Sequence, residues 1–324
     1  MVIEYLTPLS RAWGRTKNML FHPFDIGKWF ALGFSAFLAG LTDWPGGGGG
    51  GGGRGPAGNF DIRHAVDWDY VFDFPNQVSL WIAEHHFWVL IIIASLLFIL
   101  VLSVVLTWLS SRGIFMFLDN VVHNRSRIGQ PWREFKGHGE SIFLWRLALG
   151  FLSVVMFLEL VVAAFFIART IYFRGDPLSS FIALWTGFAL IGFVFFLVVH
   201  FISRMLTDFI APIMYKENVS VLDAWRKFLV LFPDHIWDMI LYYFFIIGLY
   251  ILVAIGVVII GVVTCCCGFI LLAIPYIGSV VLLPVSVTFR TLSLEFLAQF
   301  GEQYTVIPSD PSASAAAETI TPII

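Results

Sequence analysis

The chain has 324 residues, 59% of them hydrophobic and 13% charged, with a mean hydropathy of +0.86 and a formal net charge of −3. A soluble domain carries about 25% charged residues, so a chain this apolar cannot cover itself in water and is stable only where lipid surrounds much of it. The near-neutral balance argues for no nucleic-acid partner, and the three adjacent cysteines, Cys265, Cys266 and Cys267, imply no disulfide framework, because sequence neighbours rarely pair.

In chain order, Arg11, Arg15, Lys17 and Lys28 precede a short apolar run. A secretory signal is one reading of this start, but no small-x-small cleavage site follows residues 30–41. Six apolar runs predict six membrane-spanning helices, over residues 26–41, 87–109, 142–168, 181–202, 236–263 and 269–289. The first run is short against the roughly 20 residues a span needs, so its helix is expected to begin near Pro23, with Lys28 snorkelling to the interface. The fifth and sixth runs are nearly continuous and must fold back, at residues 264–268 or, alternatively, at 275–278.

Residues 1–304 read as one polytopic membrane domain, interrupted by a Gly-rich loop over 43–86. The loop opens with a run of glycines at 46–53, expected to act as a flexible tether. An aromatic-acidic stretch, Asp67-Trp68-Asp69-Tyr70, follows it. Residues 305–324, rich in Pro, Ser and Ala, read as a disordered tail. Lysines and arginines cluster on one side of the predicted spans: the N-terminal group, then Arg112, Arg125, Arg127, Arg133 and Lys136, then Arg204, Lys216, Arg226 and Lys227, then Arg290. The other side has Arg54, Arg63, Arg169 and Arg174. The positive-inside rule therefore places both termini in the cytoplasm and the acidic loop outside.

A faint internal repeat accompanies these runs. The second run leads into Ser111-Arg112 and then Trp132-Arg133-Glu134-Phe135; the fourth leads into Ser203-Arg204 and then Trp225-Arg226-Lys227-Phe228. The N-terminus carries a weaker copy around Trp13. The pattern predicts three helical hairpins, each preceded by a cytoplasmic amphipathic helix lying at the interface, with Trp13, Trp132, Arg133, Trp225 and Arg226 as anchors. Shared membrane-edge composition is the plainer explanation of the same pattern. Within 221–232, Leu222, Trp225, Phe228, Leu229 and Phe232 recur at helical spacing.

Glu159 is the sharpest single residue, because a charge inside a span costs roughly 2.5 kcal/mol or more. It is either a proton-carrying or substrate-binding carboxyl, or a protonated acid bonded to a neighbouring helix; Tyr250, Tyr276 and Thr186 are its expected partners by depth. Pro275, Gly278 and Pro284 interrupt the sixth run and predict a kinked or discontinuous helix. Arg112, Arg204 and Arg290 hold equivalent places in the repeat and are expected to pair with Asp119, Asp208 and Glu295, fixing helix ends. Arg146 is expected to snorkel, and His200 to sit at the interface. The cysteines could take a soft metal or a lipid, but adjacent thiols diverge on a helix, so small apolar turn residues is the better reading. His64, His85 and His86 match no zinc spacing. The glycine run is not followed by Gly-Lys-Ser/Thr, and the sequence holds no nucleophile elbow, His-Glu-x-x-His or dinucleotide fingerprint. No cofactor or metal is therefore expected.

The segments at 208–215, Ala224-Trp225-Arg226-Lys227-Phe228, 264–269, 273–278 and Leu297-Ala298-Gln299-Phe300-Gly301 resemble an uncharacterised family of bacterial six-span membrane proteins. More distantly, the hairpins are similar to the membrane domain attached to some glycerophosphodiester phosphodiesterases. The resemblance covers most of 5–304 and implies a bacterial inner-membrane location and no activity. The phosphodiesterase's soluble domain is not among these residues, so its active site is not carried over. The expectation is an all-α membrane bundle, a non-enzymatic component whose partners are the lipid bilayer and other membrane proteins. A small-molecule or proton-coupled transporter using Glu159 is the rival, and a membrane-embedded enzyme acting on lipid headgroups comes last.

Overall fold

The computed structural model describes residues 3–42, 72–175, 177–264 and 267–307. Helices account for nearly all of them: α1 (Leu6–Phe21), α2 (Ile26–Ala39), α3 (Phe74–Glu84), α4 (His86–Val122), α5 (Gly129–Glu134), α6 (Lys136–Arg174), α7 (Leu178–Met205), α8 (Ala211–Glu217), α9 (Val221–Leu231), α10 (Ile236–Val263), α11 (Cys267–Ala273), α12 (Pro275–Val281) and α13 (Leu283–Ala298). The glycine run, Asp67–Tyr70 and the tail from residue 308 lie outside the described residues, as do Cys265 and Cys266.

Four helices are long and apolar enough to cross a membrane: α4, α6, the continuous segment from Ser179 through α8 to Glu217, and Pro233–Val263, which contains α10. They become five if α12 and α13, bent by 65° at Leu282, count as one crossing. The first apolar run forms the 14-residue α2, about 21 Å of helix against a hydrocarbon layer of about 30 Å. Extension backward is blocked at Asp25, which adopts an extended backbone and caps α2 by accepting from the Gly27 and Lys28 N–H groups. Part of the expected loop is also helical. Residues 74–84 form α3, with Pro75 in its first turn, where a missing N–H is tolerated.

The chain separates into two compact units, and α4, α6 and α7 contribute to both. The first comprises the described residues of Met1–Thr42, Thr107–Leu149 and Leu197–Ile324. Its core is aromatic: Phe209 stacks on Phe228 at 5.7 Å and meets Tyr242 at 5.1 Å, while Tyr242 stacks on Phe296 at 4.3 Å. The amphipathic α1 packs on α13, burying Pro8, Ala12, Thr16, Met19 and Leu20. The Thr16 and Thr288 hydroxyls share a hydrogen bond of 3.0 Å between them. Ser220 caps α9 by accepting from the Asp223 N–H. Helix α9 buries Val221, Ala224 and Phe228 and leaves Leu222 and Leu229 exposed.

Gly113 of α4 lies so close to α2 that a Cβ there would meet the Ala39 nitrogen at 2.6 Å. The chain reverses after Thr264, and the Phe269 ring lies over Gly261, where a Cβ would come within 2.3 Å of it. α11 therefore runs back along α10 only because residue 261 has no side chain. α12 pairs with α2 through Tyr276, whose hydroxyl donates to Phe30 O, and Ser279, whose Oγ donates to Gly33 O.

The second unit comprises the described residues of Asp43–Leu106 and Gly150–Phe196. Here Phe72 is buried in an aromatic cluster with Phe165, Tyr172 and Phe173. Most of the remaining side chains are exposed, aliphatic and aromatic ones included.

Candidate functional site

Two buried polar clusters, both within the first unit, are the richest chemistry among the described residues. One is built on a π turn, Leu206–Ile210, where the Ala211 N–H donates to Leu206 O, five residues back. Such a turn inserts a residue into the helix and disturbs the regular carbonyl ladder, and π turns recur at functional positions. Thr207 O accepts from Arg290 Nη1 at 2.7 Å. Thr207 Oγ1 donates to Ser203 O and accepts from Arg146, which also donates to Ser110 Oγ at 3.0 Å and to Thr42 Oγ1. Asp208, within the turn, accepts from Arg204 at 2.9 Å and from the buried Tyr242 hydroxyl at 3.4 Å. Arg204 also donates to the Tyr250 hydroxyl. Arginine suits this role because its planar fork satisfies several acceptors at once while keeping its charge. Arg290 is only 7% exposed.

The second cluster surrounds Asp119, 1% exposed near the end of α4. Its carboxylate accepts from Arg125 through three contacts of 2.9 to 3.2 Å and from the Tyr215 hydroxyl at 2.8 Å, with His123 3.1 Å away. Asn120 closes the same loop, accepting from the Arg127 N–H and donating to Arg127 O. The hydrogen bond to Asp119 raises the pKa of Arg125. Burial, followed by the same carboxylate, pushes the Tyr215 phenol well above its ordinary range. The site thus holds a permanently ionised acid and a permanently protonated phenol, which is the chemistry of a clamp between α4 and α8.

Of the arginine pairs expected from the sequence, Arg204 meets Asp208 on the adjacent turn of helix. Arg112 instead reaches Glu140 at 2.9 Å. Asp119 shares its face but lies two helical turns, about 10 Å, away. Glu295, five residues from Arg290 and so on another face, lies near Arg15 and Arg11, at 3.7 and 3.9 Å. Sequence reasoning passed over Glu140, Asn120 and Tyr215; the first two carry no distinctive spacing, and Tyr215 is 96 residues from the acid it meets.

Glu159 lies on α6 in the second unit, exposed among exposed apolar neighbours. Among the described residues it makes no hydrogen bond or ion pair. Tyr276 donates to Phe30 O and Tyr250 accepts from Arg204 instead, because depth along a helix does not fix the face.

Pro275 opens α12 and Pro284 lies in the first turn of α13, both positions that need no backbone donor. Gly278 is buried where a Cβ would meet Leu272 O at 2.7 Å. Trp13 is half exposed on α1. Trp132 stands edge-on to Trp108, with the Arg112 guanidinium over both rings, and Arg133 is exposed at the end of α5. Trp225 packs against Trp145 at 5.6 Å and against Phe228, and the buried indole N–H groups of both tryptophans have no hydrogen-bond partner among the described residues. Arg226 is exposed and pairs with Asp223 at 3.1 Å.

No curated protein matches the chain, and no solved structure does. Matched over residues 4–307, almost the whole span in which these clusters lie, the chain belongs to a family of unknown function, DUF7544.

Proposed function

We propose that the chain is a polytopic protein of the bacterial inner membrane, with both termini cytoplasmic, that organises lipids or partner proteins and does no chemistry of its own. One observation carries this reading. In the most apolar stretches of α4 and of the segment from Ser179 to Glu217 no residue is buried, and in α6 and α10 only 11% are. Apolar surface on this scale has to be covered by lipid or by other apolar helices. The distribution of charge supports the orientation: of the described lysines and arginines, only Arg169 and Arg174 fall in the second unit.

The six-crossing, three-hairpin arrangement belongs to the same proposal, with the short α2 and the broken α12–α13 segment making the first and last passages side by side. The distant likeness to the membrane domain of some glycerophosphodiester phosphodiesterases fits a component that leaves chemistry to another domain or chain.

A transporter would need Glu159 to face a water-filled route, and its exposed position among apolar side chains speaks against that. An enzyme acting on lipid headgroups would need free acids and bases at one face. The nearest approach to one is Asp119 with His123, and there the carboxylate is already held by Arg125 and Tyr215. The test is purification of the full chain in native lipid discs, with proteomic and lipid analysis of what travels with it. A defined lipid or protein companion, enriched over an unrelated six-span control, is expected; a companion profile identical to the control's would overturn the reading.

A further inference from the structure

Helix α6 carries one stripe that its own unit leaves bare. Leu152, Met156, Glu159, Ala163 and Phe166 recur at intervals of four and three residues, and all are exposed. This spacing is the seam along which two helices pack side by side. Ala163, next to the acid on this seam, is small enough to let another backbone approach.

In the middle of the stripe sits a carboxyl group with no partner among the described residues. It lies well inside the apolar run 142–168, with Arg169 about 15 Å further along the helix. The side chain is too short to reach the interface, and leaving a carboxyl against hydrocarbon is costly in either protonation state.

A second copy of this chain would not resolve this. A two-fold contact along the seam sets Glu159 against Glu159, like against like. Across the apolar runs 87–109, 142–168, 181–202 and 236–263 the only lysine or arginine is Arg146, about 20 Å of helix from Glu159 and already bonded to Ser110, Thr42 and Thr207. A basic group opposite the acid neutralises it and satisfies its oxygens together.

Resting on the membrane reading above, we infer that the α6 stripe centred on Glu159 docks a transmembrane helix of a different protein, one that brings a lysine or arginine to the same depth. The partner is selected by charge at Glu159 and seated by the apolar positions on either side.

The test uses the full chain expressed in bacterial membranes, with a benzophenone amino acid replacing Met156 on the stripe or Val154 on another exposed face. Photocrosslinking from position 156, and not from 154, should yield a heterologous adduct whose protein has a lysine or arginine within a membrane span. Glu159→Leu and Glu159→Gln should each reduce that adduct about tenfold. Glu159→Lys combined with an acid at the partner's basic position should restore it.

Since Glu159 touches nothing in its own chain, the Glu159→Leu variant should keep the native thermal midpoint in detergent, which separates lost docking from lost fold. A self-adduct, a lipid-only adduct, a partner without a basic residue in its span, or an adduct indifferent to Glu159→Leu would each overturn the inference while leaving the membrane reading intact. Recovery of the chain without detergent would overturn both.

Discussion

The two units treat their carboxylates in opposite ways. In the first, Asp119, Asp208 and Glu140 each meet an arginine, and Tyr215 and Tyr242 supply further donors. In the second, Glu159 stands among exposed leucine, phenylalanine and valine side chains with no such partner among the described residues. The difference follows from what each unit has to bury. The first packs helix ends, short helices and a π turn around an aromatic core, so disturbed backbone and charge must be answered internally. The second consists largely of regular helix, whose backbone is satisfied along its own axis, so its side chains are free to address surroundings supplied by something else.

Substitutions should separate the units by the size of their effects on the thermal midpoint of the purified chain. The largest losses are expected in the first unit. Asp119→Ala strands Arg125 and Tyr215 and should cost about 3–5 kcal/mol. Phe228→Ala, in the aromatic core, should cost a similar ~3–5 kcal/mol. A loss below about 1 kcal/mol for both would mean that this core does not hold the chain together. Gly113→Val drives two methyl groups into the α2 backbone and should cost about 1–3 kcal/mol; an unchanged midpoint would contradict the close approach of α4 and α2.

Tyr215→Phe removes one charged hydrogen bond and should cost about 1.5 kcal/mol or somewhat more. Destabilisation equal to that of Asp119→Ala would instead make the phenol, not Arg125, the main partner of the acid.

A smaller effect is expected from pH. Burial beside Phe115 and Phe135 holds the His138 imidazole below its ordinary 6.5. The folded chain therefore binds this proton less readily than the unfolded chain does. The contribution is whole above 6.5 and is lost as pH falls through the folded value. His138→Phe should accordingly lose less of its midpoint than the native chain does between about pH 7 and about pH 5; parallel losses would exclude His138 as a source of the pH dependence. At the far end of the scale, Phe151→Ala, on an exposed face of the second unit, should move the midpoint by less than about 0.5 kcal/mol, and a core-sized loss there would erase the contrast between the units.

What could be read in the sequence was what is local. The cores of α4, α6, α7 and α10 follow directly from long apolar runs. The Arg204–Asp208 pair follows from a four-residue spacing that puts both on one face. The shortness of α2 was visible in its run, but not the capping by Asp25 that fixes where it starts. Helix α3 was hidden inside a glycine-rich, acidic stretch whose average composition reads as loop. The π turn left no signal, because an inserted residue is tolerated only when distant groups such as Arg290 and Tyr242 answer the displaced backbone and the acid. The Asp119–Tyr215 bond joins residues too far apart in the chain for any spacing rule to connect. Trp225 shows the same limit from the other side: its position in a Trp-Arg segment suggests a headgroup anchor, whereas its ring lies against Trp145.

Insertion of one residue at 206–210 also sets a phase. Deleting a single residue there would restore an uninterrupted α-helix and turn everything downstream by about 100°. That rotation would swing Tyr215 away from Asp119 and carry Pro212 and Met214 to new faces, while Arg204, upstream, stayed where it was. The length of this short stretch therefore acts as a vernier between two halves of one helix. A chain one residue shorter could keep every side chain named above and still not be able to assemble both acid clusters together.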